Sequence, residues 1–136
     1  METDEMNFKI LENAYNSLQE NGKLIFTTLN GLFPLFHSVK EFLNSNAGED
    51  VIAGSNFDLI TFRQQSEYTF TDDSGVEKTL QCNERYYVPS EISWLLKSLG
   101  FKEISICGCK LGAFNRNDKL TVDDFEMLII AEKKGN

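Results

Sequence analysis

Apolar residues recur at two different spacings along this chain, and the change in spacing separates predicted helices from predicted strands. Over residues 4–20 they fall three or four positions apart, which predicts an amphipathic helix that ends near Asn21 in a left-handed turn. Residues 23–29 are instead an almost continuous run of β-forming residues. Such a run predicts a strand that is covered on both faces and that turns at Asn30.

A second helix is predicted to begin at Pro34, because proline suits the first turn of a helix. The apolar residues of this helix fall on one face: Leu35, Phe36, Val39, Phe42 and Leu43. His37, the only histidine, falls on the opposite, polar face, so we do not expect it to act as a catalytic base. A polar break at residues 45–50 follows the helix.

Beyond this break the pattern becomes that of an extended chain. Three segments are predicted to be extended: residues 57–62, 67–71 and 76–87. The last two are joined by residues 72–75, whose Asp, Ser and Gly favour a hairpin turn. The segment also carries aromatic residues that either line a pocket or pack the hairpin: Phe57, Phe62, Tyr68, Phe70, Tyr86 and Tyr87.

The last third of the chain returns to a helical pattern and then to strands. Pro89 opens a predicted helix and Gly100 stops it, with Phe101 as the hydrophobic contact that commonly follows a glycine stop. Residues 101–109 and 125–132 are predicted strands. The polar stretch between them is too rich in Asn, Asp and Gly to be regular throughout.

The composition fits a single domain over residues 1–136, with 41% apolar and 12% aromatic residues to form a core. The net charge of -8 disfavours binding to nucleic acid and to anionic membrane surfaces. The N-terminus is acidic, and no apolar run reaches the length of a membrane span. We therefore expect a cytoplasmic protein.

The cysteines and acidic residues do not predict a metal site. Cys107 and Cys109 would lie on one face of a strand, but a site would need a second pair, and only Cys82 and His37 remain. We expect three reduced thiols packed near a sheet. Four acidic residues of the last loop lack the spacing of a calcium-binding loop: Asp118, Asp123, Asp124 and Glu126.

The order of the last elements resembles the C-terminal half of class I S-adenosylmethionine-dependent methyltransferases. These enzymes finish with a helix, a Gly-Phe pair, a strand, a loop and a strand, and residues 18–28 resemble their middle. The resemblance covers residues 4–45 and 84–134. Residues 50–87 stand where the family commonly inserts a piece that covers the substrate.

The resemblance implies an α/β fold, or α+β for this chain in isolation, that is part of a Rossmann-like methyltransferase fold. Its sheet would be mixed and three-stranded, in the spatial order 23–29, 125–132, 101–109. The strand over residues 125–132 would lie in the middle, antiparallel to both others, with helices flanking the sheet. The alternative is an unrelated small α+β domain with a similar order of elements.

The methyl donor of this family binds to an N-terminal half that the resemblance does not cover. No glycine-rich turn follows a predicted strand, so we expect the isolated chain to bind S-adenosylmethionine weakly or not at all. The donor would bind only if an N-terminal half completed the site. Because the neighbour of the strand over residues 23–29 is missing, we expect a homodimer or a complementing half to cover its edge.

Five residues are predicted to contact a small-molecule substrate: Asn30, Arg63, Arg85, Tyr86 and Tyr87. Asn30 follows the first strand, where α/β sheets place ligand-binding loops, although Asn-Gly also forms turns readily. Arg85 begins a stretch that resembles the family's Arg-x-Tyr followed by Thr-Pro, with Val88 in place of the capping threonine. It would hold a carboxylate or form a plain ion pair.

The first functional hypothesis is the substrate-side portion of a methyltransferase of small molecules, inactive as an isolated chain. Its catalytic residues stay unknown, because methyl transfer needs mainly positioning and desolvation. The second hypothesis is a non-catalytic module, derived from a methyltransferase, that binds a partner or dimerises.

Overall fold

The structure is a computed structural model that describes residues 3–47, 52–110 and 112–135, and only the backbone of residues 52–55. In chain order its elements are α1 (Asp4–Ser17), β1 (Lys23–Leu29), α2 (Phe33–Phe36), α3 (Val39–Ala47), β2 (Ile52–Asp58), β3 (Arg63–Thr71), β4 (Glu77–Arg85), α4 (Pro89–Leu99), β5 (Glu103–Lys110), β6 (Ala113–Phe114) and β7 (Glu126–Glu132). The strands form two sheets, ordered β1-β7-β5-β6 and β2-β3-β4.

The first sheet has the strand order that the sequence predicts. β7 lies between β1 and β5 and is antiparallel to both, with Ile25 opposite Ile130 and Ile106 opposite Ile129. The sheet is not mixed in its pairing, however, because its neighbouring strands are all antiparallel. It also has a fourth strand, β6, which the sequence did not predict and which pairs with the end of β5.

Helices cover one face of the first sheet. There α1 and α4 pack on alternate residues of β7 to form the first core, whose buried members are Tyr87, Ile92, Leu96, Phe101, Met127, Ile129 and Ala131. On the other face Ile25 is 62% exposed. The prediction that β1 is covered on both faces is therefore wrong: Leu24 and Phe26 pack toward the helices, whereas Ile25 between them does not.

The ends of α1 and α4 follow the sequence signals. The Thr3 hydroxyl accepts a hydrogen bond from the Met6 N–H at 3.2 Å and caps α1. Helix α4 starts at Val88 without a side-chain cap and ends at Gly100, which has a φ of 110°. Phe101 follows it into the first core.

The single helix predicted from Pro34 is instead two helices. His37 has an extended backbone and ends α2, and the Ser38 hydroxyl accepts a hydrogen bond from the Glu41 N–H at 3.3 Å to start α3. The break lets Phe33 and Val39 enter a second core, while Phe36 stays exposed. This second core contains Phe33, Val39, Tyr86, Leu29, Phe42, Leu43, Phe57, Phe62 and Phe125.

The second sheet contains the predicted hairpin and one more strand. β3 and β4 are joined by a turn in which the Asp72 carboxylate accepts hydrogen bonds from the Ser74 and Val76 N–H groups. The strand predicted over residues 57–62 is misplaced, because the Asp58 carboxylate accepts from the Ile60 N–H at 2.8 Å and ends β2 in a turn. Of the predicted polar break, residues 48–50 lie outside the described residues.

A short parallel contact connects the two sheets. The Tyr87 N–H donates to the Leu29 carbonyl at 3.2 Å, and the Gly31 N–H donates to the Tyr87 carbonyl at 2.9 Å. Along residues 23–28, the outer edge of β1 has no strand partner within the described part of the chain. None of the helices in that part is long and apolar enough to cross a membrane.

Candidate functional site

The segment after β4 sends neighbouring tyrosines in opposite directions. Tyr87 enters the first core, where its hydroxyl accepts a hydrogen bond from the Asn7 amide at 3.0 Å. The Arg85 guanidinium lies 4.4 Å from the centre of the Tyr87 ring. Tyr86 enters the second core, with its ring centre 5.4 Å from that of Phe57. The two predicted site tyrosines therefore belong to different surroundings.

Arg63 and Arg85 lie opposite each other on β3 and β4 and share one carboxylate from α1. One oxygen of Asp4 is 2.7 Å from an Arg63 nitrogen and 3.2 Å from an Arg85 nitrogen, and Glu91 lies 2.5 Å from Arg85. Burial alone would raise the pKa of Asp4, but the hydrogen bonds and charges of the two arginines outweigh it and lower that pKa. Arg85 thus forms the ion pairs that the sequence left as its alternative role.

Asn30 is fully buried at the end of β1, and its side chain serves the fold. Its amide donates hydrogen bonds to the carbonyls of Thr121 at 3.1 Å and Asp124 at 2.8 Å. Its oxygen accepts from the Leu32 N–H at 3.0 Å. Both amide protons are therefore used within the chain, and contact with a substrate stays a prediction.

The inward face of the second sheet carries polar side chains. Gln64 and Ser66 of β3 are 1% and 5% exposed, and they lie opposite Glu84 and Cys82 of β4. Tyr68, two residues further along β3, shares this face because alternate residues of a strand point the same way. We call this set, with Tyr86, the polar face: Gln64, Ser66, Tyr68, Cys82, Glu84 and Tyr86.

Burial changes the acidity of three groups on the polar face. Desolvation raises the pKa of Glu84 and, together with the charge of Glu84, raises the pKa of Tyr68 and of Tyr86. The Tyr86 hydroxyl is buried and has no hydrogen-bond partner among the residues that the structure describes. The polar face therefore holds a phenol and a carboxylate that are both at least partly removed from water.

His37 lies against an acidic residue of the last loop, Asp123. Its Nε2 atom is 2.8 Å from an Asp123 carboxylate oxygen, and its ring stacks on Phe33 with centres 4.6 Å apart. The cysteines are free thiols, and Cys107 donates a hydrogen bond to the Arg116 carbonyl. No group of three metal-ligating side chains occurs in the regions that the structure describes.

The uncovered face of the first sheet forms an open apolar depression of about 730 Å³. Side chains of β1, β6 and β7 line it, among them Ile25, Phe114, Leu128 and Ile130. Ile25 and Phe114 are largely exposed. The depression lies beside the free edge of β1.

Sequence reasoning missed Glu84. A signal was present, because Glu84 is two residues before Tyr86 and faces Gln64 across the hairpin, so alternation along β4 places it on the inward face. The strand was predicted without its register, and the register is what brings Glu84, Tyr68 and Tyr86 together.

The structure resembles known methyltransferases. The CcbJ methyltransferase from Streptomyces caelestis matches with a TM-score of 0.63 and 11% identity, over 95% of this chain and 53% of that one. An S-adenosylmethionine-dependent methyltransferase from Clostridium acetobutylicum matches with a TM-score of 0.63 and 15% identity, over 94% and 51%. The sequence itself matches no protein-family model and no curated protein. The chain therefore has a methyltransferase-like fold and spans about half the length of these solved structures.

Proposed function

We propose that the chain is the substrate-side portion of an S-adenosylmethionine-dependent methyltransferase of small molecules. The observation that carries this proposal is the match of nearly the whole chain to about half of two methyltransferases, one of them described as S-adenosylmethionine-dependent. The remaining half of such an enzyme would supply the donor site. It belongs either to a separate polypeptide or to a longer form of this one.

The glycine turn after β1 does not fit the methyl donor. A donor site of this type needs a glycine turn after a strand whose backbone is open to the ligand. Gly31 follows β1, but a Cβ atom placed there would be 2.8 Å from the Val88 backbone nitrogen, so this turn is closed by packing. The proposal therefore assigns the donor to the complementing portion.

The free edge of β1 supports the same proposal. A strand that belongs in the interior of a sheet pairs on both sides and is apolar, whereas natural edge strands usually carry protective charges. Residues 24–26 are Leu, Ile and Phe, and β1 pairs with β7 alone along most of its length. A strand from the complementing portion would pair along this edge.

The second sheet would cover the substrate. It is joined to the first sheet by the contact of Leu29 and Gly31 with Tyr87, so its polar face lies near the end of β1. In open α/β folds, ligands bind beyond the carboxyl ends of the strands. The chain would contribute by positioning the acceptor and excluding water from it.

A second candidate function is a non-catalytic module that dimerises. The observation in its favour is that a second copy of the chain could cover the β1 edge and the depression beside it as well as a complementing portion could. Two antiparallel β1 edges related by a two-fold axis would pair with each other and bury Ile25. This module would need no donor.

Methyl transfer separates the two candidates. The chain would be incubated with isotopically labelled S-adenosylmethionine and a mixture of small-molecule acceptors, alone and with any polypeptide that could complement it. We expect labelled product only from the mixture of both polypeptides. A stable homodimer that gives no product with any co-purifying polypeptide would favour the module.

A further inference from the structure

The hydrogen bonds at the two ends of β1 determine which of its backbone groups point to the free edge. In an antiparallel pair, every second residue exchanges N–H and C=O bonds with the partner strand, and the residues between them point these groups away from it. At one end, the Lys133 N–H donates to the Gly22 carbonyl at 2.9 Å. At the other end, the Asn30 N–H donates to the Phe125 carbonyl at 2.9 Å. The even-numbered residues of β1 therefore bond to β7, and the odd-numbered residues point their N–H and C=O groups to the free edge.

One end of this edge already has a strand-like contact. Leu29 and Gly31 are odd-numbered, and their carbonyl and N–H groups bond to Tyr87. Tyr87 thus occupies the position of a neighbouring strand at the end of β1. The odd-numbered members of residues 23–27 present the same groups, and no strand bonds to them within the described part of the chain.

A small apolar cavity lies beside this edge on the helix side of the sheet. Its volume is about 150 Å³, and it is lined by residues 26–28 of β1, by Tyr87 and by residues of α1 and α4, among them Ile10. No residue of β7 lines it, so it is on the free side of β1. A cavity of this size has room for one apolar side chain. A side chain that a neighbouring strand carried opposite Phe26 would point to the same side of the sheet, toward this cavity.

The other face of the sheet also has apolar surface at this edge. Ile25, Thr27 and Ile130 are part of the lining of the depression described above. Because side chains alternate along a strand, the next residue of the same neighbouring strand would point toward this depression. Such a strand would be covered on both faces, so it would be apolar on both faces.

The cavity favours a separate strand over a second copy of the chain. Pairing two β1 edges through their odd-numbered residues would place even-numbered residues opposite even-numbered ones on the helix side. Leu24 and Phe26 of the second copy already pack on the helices of their own copy, so the cavity would stay empty. The net charge of -8 on each copy also opposes their approach. We therefore expect a second copy to pair there more weakly than a separate strand.

We propose that the free edge of β1 binds an extended apolar segment of a different polypeptide as an added strand, with one side chain of that segment in the cavity beside Ile10 and Phe26. That this segment belongs to the complementing portion of a methyltransferase rests on the proposed function. The binding of a strand does not, because the edge and the cavity are properties of this chain alone.

The test is an NMR titration of the isotopically labelled chain with the peptide Lys-Thr-Val-Leu-Val-Thr-Lys, whose leucine is placed for the cavity and whose valines are placed for the depression. We expect the amides of Lys23, Ile25 and Thr27 to become protected from hydrogen exchange when the peptide binds. The amides of Leu24 and Phe26 bond to β7, so they should be protected in the free chain as well. Odd-numbered amides that stay unprotected at saturating peptide would overturn the proposal, and so would a homodimer that the peptide does not dissociate.

Changes to the peptide separate backbone pairing from the anchoring of a side chain. N-methylation of the two valines and N-methylation of the two threonines remove donors from opposite edges of the peptide strand, so we expect one of these peptides to lose binding and the other to keep it. Equal binding by both would overturn the added strand. Replacing the leucine with alanine should weaken binding at least about tenfold, because the cavity would stay empty. Unchanged affinity would overturn the role of the cavity.

Two variants of α1 locate the cavity on the unaltered peptide. Ile10→Lys places a charge in the lining of the cavity at a half-exposed position, and we expect at least about tenfold weaker binding. Met6→Lys adds the same charge at another exposed apolar position of α1 that does not line the cavity, and we expect wild-type binding. Equal losses in both variants, or none in Ile10→Lys, would overturn the assignment of the cavity.

The edge site and the proposed function fail separately. Peptide binding that protects the odd-numbered amides, without methyl transfer by a completed enzyme, would support the edge site and count against the methyltransferase. Methyl transfer by a completed enzyme in which the amides of Lys23, Ile25 and Thr27 stay unprotected would support the methyltransferase and overturn the edge site.

Discussion

At the scale of single residues, Tyr86 and Tyr87 are neighbours in sequence but lie in different cores. Both rings are buried, and both were predicted to contact a substrate. Only Tyr87 has a hydrogen bond to its hydroxyl, from Asn7. The Tyr86 hydroxyl is buried without a partner among the described residues.

Replacing each tyrosine with phenylalanine measures how much its hydroxyl contributes to stability. We expect Tyr86→Phe to raise the free energy of unfolding by about 1 kcal/mol, because it removes a buried hydroxyl that has no partner. Tyr87→Phe should lower it by about 1 kcal/mol, because Asn7 loses its acceptor. Urea unfolding of both variants checks the pair. A clear loss of stability in Tyr86→Phe would mean that its hydroxyl has a partner.

The lowered pKa of Asp4 predicts how the stability of the chain changes with pH. Its pKa in the folded chain is below the ordinary value of 3.8, so its contribution to stability is present above pH 3.8 and is lost as the pH falls through the folded pKa. We expect Asp4→Asn to lower the free energy of unfolding at pH 7 by no more than about 1 kcal/mol, because Asp4 is 59% exposed and solvent screens its ion pairs. The difference from the wild type should shrink at the acidic end.

The control for this prediction is Asp73→Asn, which removes an exposed carboxylate in the hairpin turn. We expect this variant to match the wild type at pH 7. A loss for Asp4→Asn that persists unchanged well below pH 3.8 would contradict the role of the shared carboxylate.

At the scale of elements, the sequence predicts those whose signals are local. The bounds of β1 and α4 follow from a β-forming run and from Pro89 and Gly100, and both are confirmed. The break between α2 and α3 was missed, because it depends on the Ser38 cap and on packing of Phe33 in the second core. β6 was also missed, since a two-residue strand forms only through its pairing with β5.

The glycine stop of α4 can be tested against a second glycine. Gly100 has a φ of 110°, and a Cβ atom there would be 2.6 Å from the Tyr15 hydroxyl oxygen. Gly75 in the hairpin turn has a φ of 82° and open space around it. We expect Gly75→Ala to cost about 1–2 kcal/mol through the backbone alone, and Gly100→Ala to cost more. Thermal or urea unfolding checks the order, and equal costs would contradict the packing of Tyr15 on Gly100.

At the scale of the whole molecule, the resemblance predicted the strand order of the first sheet. The five predicted site residues, in contrast, do not come together in one place. Arg63 and Arg85 come together, but around Asp4 and on the face of the second sheet opposite the polar face. Asn30 lies under the last loop. Contacts between residues this far apart in sequence depend on register and on how the sheets join, and no local pattern contains that information.

We expect the chain to associate through the uncovered face of the first sheet. Ile25 is 62% exposed beside the free edge of β1, so Ile25→Lys should prevent association with little loss of stability. Trp94→Lys is the control, since Trp94 is an exposed apolar residue on α4 and should leave association unchanged. Light scattering of each variant over a range of concentrations measures this. A wild-type chain that stays monomeric, with the amides of residues 23–28 protected from hydrogen exchange, would contradict the prediction.

The central claim is that this chain carries the substrate side of a methyltransferase and not the donor site. Calorimetric titration with S-adenosylmethionine tests it most directly, first on the isolated chain and then on its complex with a complementing N-terminal portion. We predict no measurable binding to the isolated chain, because its glycine turn after β1 is closed by Val88, and one-to-one binding to the complex. Micromolar one-to-one binding by the isolated chain would contradict the claim.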